Sequence, residues 1–288
     1  MNIVVSSNKN FIYPLSILLY SLYVNNENVN VYFINFSVDE SDLDGLKKLT
    51  SKFPTCSFNI INMPEDMVRR FDNTARSAHT LESLKNRQLS IETYGKVVTP
   101  CLLPKDMDRC LYLDADIIVQ KNIEDFYNTD LEGKSLMGFC VKEFTVIPPK
   151  NTFPGVDEIF NAGVLLLDLN KIRLTGVLDY ERVLEHIEYS MNNTNMHFDE
   201  FIMNTIFKDD VIFGDTSKYN FPANFFGDPN IKSRRGEFER NVSYLRDASI
   251  IHYMSKYKPW SDNSVLNKFS RAIWWDYNNK MLELVGLE

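Results

Sequence analysis

The opening sixty residues constrain this chain most, because short β-branched runs alternate there with apolar stretches of helical spacing. Ile3 to Ser6 predicts a strand that runs into polar Ser6-Ser7-Asn8-Lys9-Asn10. Phe11 to Val24 follows as a mostly apolar helix, with Pro14 tolerated in its first turn. Asn30 to Phe36 predicts a second strand. Ser37 with Glu40 fits a capping box, after which Leu43, Leu46, Leu49 and Phe53 recur at helical spacing. Phe58 to Asn62 reads as a third strand. This β-α-β-α-β succession predicts an α/β chain whose parallel sheet is flanked by helices, with ligands at the carboxyl ends of the strands.

The apolar stretch Phe11 to Val24 raises the question of a signal peptide or a membrane span. Fourteen residues are too few to cross a bilayer, and no small-residue cleavage site precedes Asn25-Asn26-Glu27, so a buried helix of a cytoplasmic protein is expected. With 288 residues, 44% of them apolar, the chain can bury a large core without disulfide or metal staples. A net charge of −8 opposes non-specific attraction to nucleic acid or anionic lipid. A phosphate-bearing ligand then needs local help from a cation, a lysine or a helix N-terminus. Cys56, Cys101, Cys110 and Cys140 show no CxxC spacing and read as core filler of a reducing compartment.

Further along, Ser90 to Leu103 predicts a helix with Tyr94, Val97, Val98, Cys101 and Leu102 on its apolar face and a kink at Pro100. Cys110 to Leu113 is a continuous apolar run suited to a strand buried on both faces, and it ends in Asp114-Ala115-Asp116. Ala162 to Leu169 predicts another buried strand, Leu178 to Tyr189 an amphipathic segment, and Asp199 to Phe207 a helix. Val211 to Phe213 and Ser249 to Ile251 are strand-like, whereas Phe221 to Arg246 reads as irregular. No Gly/Ser linker divides the chain. Residues 1–260 are expected to form one domain, and 261–288 a helical appendage. No GxGxxG follows Val5, which sets aside a dinucleotide-dependent dehydrogenase.

Along a strand Asp114 and Asp116 project to the same side and repel unless a cation lies between them. Oxygen ligands of this hardness suit Mn²⁺ or Mg²⁺, which often complete their shell with substrate phosphates. Two other Asp-x-Asp triplets, Asp42-Leu43-Asp44 and Asp106-Met107-Asp108, lie in a polar helix start and a turn, where solvated carboxylates suffice as an explanation. Only the third is fed by a buried strand. His252 follows Ile250-Ile251 at a strand end and is by itself more often a structural histidine than a ligand. It is followed by Lys258-Pro259-Trp260, a cation of the right sign for a diphosphate beside a stiff aromatic anchor.

Taken together, Asn2 to Val5, Thr93-Tyr94-Gly95-Lys96, Leu111 to Asp116, Asn161 to Leu166, Asp199 to Asn204 and His252 to Trp260 resemble the ordered motifs of glycosyltransferase family 8. That group includes bacterial lipopolysaccharide α-galactosyltransferases and glycogenin. The resemblance runs from Met1 to about Trp260. It implies a GT-A fold with a Rossmann-like mixed, mostly parallel sheet, a UDP-glucose or UDP-galactose donor, Mn²⁺, and transfer to a glycan, glycolipid or glycoprotein with retained anomeric configuration. Position by position, it implies Asp114, Asp116 and His252 as metal ligands. Lys258 with the backbone at Ser255 would hold the diphosphate, and Ser6, Asn8, Asn10 and Ala115 would line the uridine pocket. Asn161, Asp199 and Glu200 would surround the donor hexose, and with Lys96 they would make up the catalytic set. The family commonly has Asp where this chain has Asn8, Arg where it has Lys96, and Gly where it has Ser255.

Each of these motifs also has a plain structural reading. Asn161-Ala162-Gly163 alone would be a turn into a strand, and Asp199 with Glu200 alone would be first-turn carboxylates stabilised by the helix dipole. Many family members have Gln at the position of Glu200, and a carboxylate there reopens a nucleophilic route beside front-face attack. Phe225-Phe226-Gly227 with Lys232, Arg234, Arg235 and Arg240 fits either a solvated loop or a wall of the acceptor cleft. The tail sets Lys268, Arg271 and Lys280 against Asp262, Asp276, Glu283 and Glu288, which argues against stable membrane binding. A sugar-nucleotide-binding protein with little transfer activity is the alternative, made possible by the departures at Asn8, Lys96 and Ser255.

Overall fold

The computed structural model describes residues 1–77, 91–140, 155–193, 198–223, 238–254, 258–261 and 268–286. The first half contains β1 (Asn2–Ser6), α1 (Ile12–Asn25), β2 (Asn30–Asn35), α2 (Asp44–Thr50), β3 (Ser57–Asn62), α3 (Glu65–Ser77), α4 (Gly95–Leu102), β4 (Arg109–Leu113), β5 (Ile117–Val119), α5 (Glu124–Tyr127) and β6 (Leu136–Cys140). The second half adds β7 (Phe160–Asp168), α6 (Leu169–Thr175), α7 (Tyr180–Asn193), α8 (Phe198–Phe207), β8 (Val211–Phe213), α9 (Thr216–Tyr219), β9 (Phe221–Pro222), α10 (Phe238–Asp247), β10 (Ile250–His252) and α11 (Lys268–Val285).

Seven strands form one sheet in the order β3-β2-β1-β4-β7-β6-β8, with β7 antiparallel to both neighbours and the other pairs parallel. A second sheet has the order β5-β10-β9. Side chains alternate across the large sheet as the period of two requires. Ile3, Val5, Leu111 and Leu113 pack into one apolar layer with α1, α2, α11 and the small sheet. Val4, Cys110 and Tyr112 pack into the other with α3, α4, α6, α7 and α8. Because α1 touches α2, α11 and β5 as well as the large sheet, nearly its whole circumference is buried, from Leu15 to Tyr23 apart from Ser16. That enclosure explains an apolar run resembling a leader. No helix among the described residues is long and apolar enough to cross a membrane.

Several local expectations change. The capping box does not form. Ser37 Oγ instead donates to Glu92 Oε1 at 3.3 Å, and the chain enters α2 through a 3₁₀ turn at Glu40–Leu43. The single helix expected over Ser90 to Leu103 splits into a 3₁₀ turn, Ile91–Tyr94, and α4, with Pro100 inside the latter. The stretch expected to be irregular holds β9 and α10, which includes Arg240. Phe225, Phe226, Gly227, Lys232, Arg234, Arg235 and Ser255 lie outside the described residues. α11 packs on α1, and Trp274 belongs to the first apolar layer.

The chain adds strands outward from β1 to β3, then returns to place β4 on the other side of β1. This reversal is the switch point at which open α/β sheets form a crevice beyond their strand ends. Ser6 closes β1 and Asp114 follows β4 there. Since β7 runs the opposite way, its first residues, near Asn161, arrive at the same crevice.

Candidate active site

Asp114 and Asp116 do not share a strand. The chain leaves the large sheet at Leu113 and enters the small one at Ile117, so each aspartate sits in the connecting turn and is pinned to a different sheet. Asp114 N donates to Gly163 O at 2.8 Å, and Tyr253 N donates to Asp116 O at 2.9 Å. The carboxylates converge on His252 at the end of β10, whose Nε2 is 3.2 Å from Asp116 Oδ1 and 3.9 Å from Asp114 Oδ2. Gly163 makes this approach possible: a Cβ there would fall 2.2 Å from His252 Cε1 and 2.6 Å from Asp114 Oδ2.

Two lysines brace the acids. Lys96, in the first turn of α4 and only 2% exposed, bonds Asp199 Oδ2 at 2.6 Å and pairs with Asp114 Oδ1 at 3.1 Å over the Tyr112 ring. Burial alone would lower its ammonium, but the charges of Asp114 and Asp199 outweigh it and hold it well above the ordinary lysine range. Gly95 lets this helix end close on β1, since a Cβ there would meet Ser6 Cβ at 2.4 Å. Lys258 donates to Asp116 Oδ2 and, at 2.8 Å, to Tyr253 O. Burial would raise the Asp116 carboxyl, yet Lys258 and His252 hold it well below the usual carboxylate range.

At the start of α8, Asp199 takes Lys96 while Glu200 turns to Asn161, whose Nδ2 donates to Glu200 Oε2 at 3.1 Å. Burial and the adjacent Asp199 charge push the Glu200 carboxyl up to about 8, against the pull of Lys96 and Asn161. Asn161 is therefore more than a turn residue. Its Oδ1 accepts Gly163 N at 3.0 Å and Asn220 Nδ2 at 3.3 Å, and Asn220 Oδ1 lies 2.9 Å from His252 Nδ1. Asn220 is fully buried, and the sequence does not mark it, since a lone Asn after Lys218-Tyr219 carries no motif.

The residues expected around a nucleoside are placed less completely. Ser6 is buried, with its hydroxyl donating to Glu92 O at 2.7 Å, and Ala115 is buried between the two aspartates. Asn8 Oδ1 accepts Asn10 N at 3.0 Å, which shapes the β1–α1 turn, and Asn10 is exposed.

The donors themselves show whether a divalent ion suits this cluster. One ligand atom each from Asp114, Asp116 and His252 lie within 4.8 Å of one another. Neighbouring ligands about 2.1 Å from an octahedral ion are about 3 Å apart, so the imidazole and Asp116 already stand near ligand spacing. Two carboxylates with one imidazole form a set that Mn²⁺ accepts. The residues fit the group.

Comparison with known proteins places the chain in a family. The chain matches the model of Glycosyl transferase family 8 over residues 2–264. Glycosyltransferase GlyF of Streptococcus pneumoniae is 24% identical over 285 residues, covering 96% of this chain and 61% of that protein. The solved structure of GlyE from the same organism superposes with a TM-score of 0.69 at 20% identity, over 99% of this chain and 62% of that one. An active-site mutant of LgtC gives a TM-score of 0.69 at 18% identity, over 97% of this chain and 96% of that one. The chain spans 42% of a probable galacturonosyltransferase-like protein of Arabidopsis thaliana, so several curated relatives are considerably longer. The architecture is that of the GT-A glycosyltransferases. A family match running from the first strand to beyond Trp260 settles the descent: the chain belongs to glycosyl transferase family 8.

Proposed function

We propose that the chain is a retaining, metal-dependent glycosyltransferase that moves glucose or galactose from a UDP-sugar to a glycan, glycolipid or glycoprotein acceptor in the cytoplasm. The observation that carries this reading is the meeting of Asp114, Asp116 and His252 at the switch point of the sheet. LgtC, a galactosyltransferase, has been solved with donor and acceptor sugar analogues, and we extend the same two kinds of substrate to this chain.

Three aspartates face two lysines here, so the unaided site repels a diphosphate. Held by Asp114, Asp116 and His252, Mn²⁺ would supply the charge that binds the diphosphate and stabilises it as a leaving group. Lys258 can turn from Asp116 to a phosphate oxygen, with the backbone at Ser255, three residues earlier in the sequence, assigned to the same diphosphate. Ser6, Asn8, Asn10 and Ala115 are assigned to the nucleoside half. Lys96 fixes Asp199 toward the hexose, and Asn161 fixes Glu200.

Glu200 holds its proton near neutral pH in the free protein, given a carboxyl at about 8. Positive charge growing at the anomeric carbon favours the carboxylate, so we assign Glu200 to stabilising that charge as it develops. UDP release measured with Mn²⁺ and UDP-glucose or UDP-galactose, with and without acceptor glycans, tests the proposal. Turnover that a chelator abolishes and Mn²⁺ restores is expected. Tight UDP-sugar binding without turnover on any acceptor would instead indicate a sugar-nucleotide-binding protein.

A further inference from the structure

We propose that Asn220 is a positioning residue that fixes the tautomer of His252 through a hydrogen-bond relay anchored on the backbone of β7. The relay has a single polarity because it starts from a group that can only donate. Gly163 N–H points at Asn161 at 3.0 Å, so the amide atom facing it is the oxygen, Oδ1. That choice turns Asn161 Nδ2 toward Glu200 Oε2 at 3.1 Å. The same Oδ1 receives Asn220 at 3.3 Å, which makes the facing atom of Asn220 its nitrogen and leaves Oδ1 of Asn220 toward His252 Nδ1 at 2.9 Å. An amide oxygen accepts only, so Nδ1 of His252 carries a hydrogen, and Nε2 is the nitrogen left to face Asp114 and Asp116. Asn220, with no exposed surface, and His252, 2% exposed, have little access to water that could substitute for the bond.

This inference rests on the metal-site reading for its consequence, since a ligand whose other ring nitrogen is held binds better than one free to change tautomer. Its direct test does not. Selective ¹⁵N labelling of the four histidines and two-bond ¹⁵N–¹H correlations on the metal-free protein report which His252 nitrogen is protonated. The Nδ1–H form is expected. A wild-type ring that carries its hydrogen on Nε2 alone overturns the relay without any variant.

Asn220→Ala should then give a mixture of tautomers and weaken Mn²⁺ binding, measured by calorimetry with the metal alone, by about 10–100-fold. Asn220→Asp keeps an acceptor for Nδ1–H and should restore the single tautomer and most of the affinity, although it loses the donor to Asn161. If folded Asn220→Ala keeps the Nδ1–H form and wild-type Mn²⁺ affinity, the relay is wrong. A wild-type protein that shows the Nδ1–H form but binds no Mn²⁺ supports the relay and overturns the metal-site reading.

Discussion

At the scale of single residues, the site depends on a position with no side chain. Gly163 lies under both His252 and Asp114, and the 2.2 Å approach that a Cβ would make to His252 Cε1 cannot be relieved by a flexible tip, because the ring is held at Nδ1. Gly163→Ala is expected to lower Mn²⁺ affinity by about 10–100-fold, with the fold retained by circular dichroism. Glu200 gives a second expectation. Its folded carboxyl at about 8 exceeds the ordinary 4.5, so the folded state holds the proton more tightly and loses stability as pH rises through that window. Melting of the metal-free protein should therefore decline more steeply between about pH 5 and 8 than that of Glu200→Gln. The variant should also have a lower kcat, and kcat/KM is expected to rise with pH through this range in the wild-type protein but not in the variant. An unchanged kcat would remove Glu200 from the chemistry.

At the scale of elements, α11 braces the segment that carries Lys258. Pro259 O accepts both Arg271 Nε and Trp275 Nε1 at 3.2 Å, and Tyr253 OH donates to Ser270 O at 2.7 Å. Trp260 packs on Trp274 with ring centroids 5.3 Å apart and on Phe11 at 5.8 Å, and the Phe11 ring in turn lies under Lys258. Removing both donors to Pro259 with Arg271→Ala and Trp275→Phe should raise KM for the nucleotide sugar more than it lowers kcat. The reason is that Lys258 is displaced while the groups around the hexose stay in place. An equal loss in kcat with KM unchanged would contradict this division. α1 plays a different part. It is enclosed between two sheets and two helices, so its apolar circumference serves packing.

At the scale of the whole molecule, the chain is acidic, with a net charge of −8, and its candidate site is itself short of positive charge. Nucleotide binding should therefore depend on the metal. UDP alone is expected to leave the melting temperature nearly unchanged. UDP with Mn²⁺ at about 100 times the dissociation constant should add about 2.7 kcal/mol, several degrees for a chain of this size. A full shift by UDP in the presence of chelator would show that Lys96 and Lys258 suffice without an ion.

The amino-acid sequence by itself determined the opening β-α-β-α-β order, the burial of β4 and the motifs of the family. These are properties of neighbouring residues, carried by periods of two and 3.6 that local sterics impose. It also marked Asp114, Asp116 and His252 through the strands that deliver them. Only the tertiary structure decided that Asp114 and Asp116 leave different sheets, that Lys96 is shared by Asp114 and Asp199, and that Asn220 joins Asn161 to His252. Those pairings link residues 18 to 103 positions apart, such as Asn220 with Asn161, 59 apart, and with His252, 32 apart. No local period records which distant side chain will complete a buried amide's hydrogen bonds. That choice is made when the two sheets and α8 close on one crevice and every polar group deprived of water must find a partner.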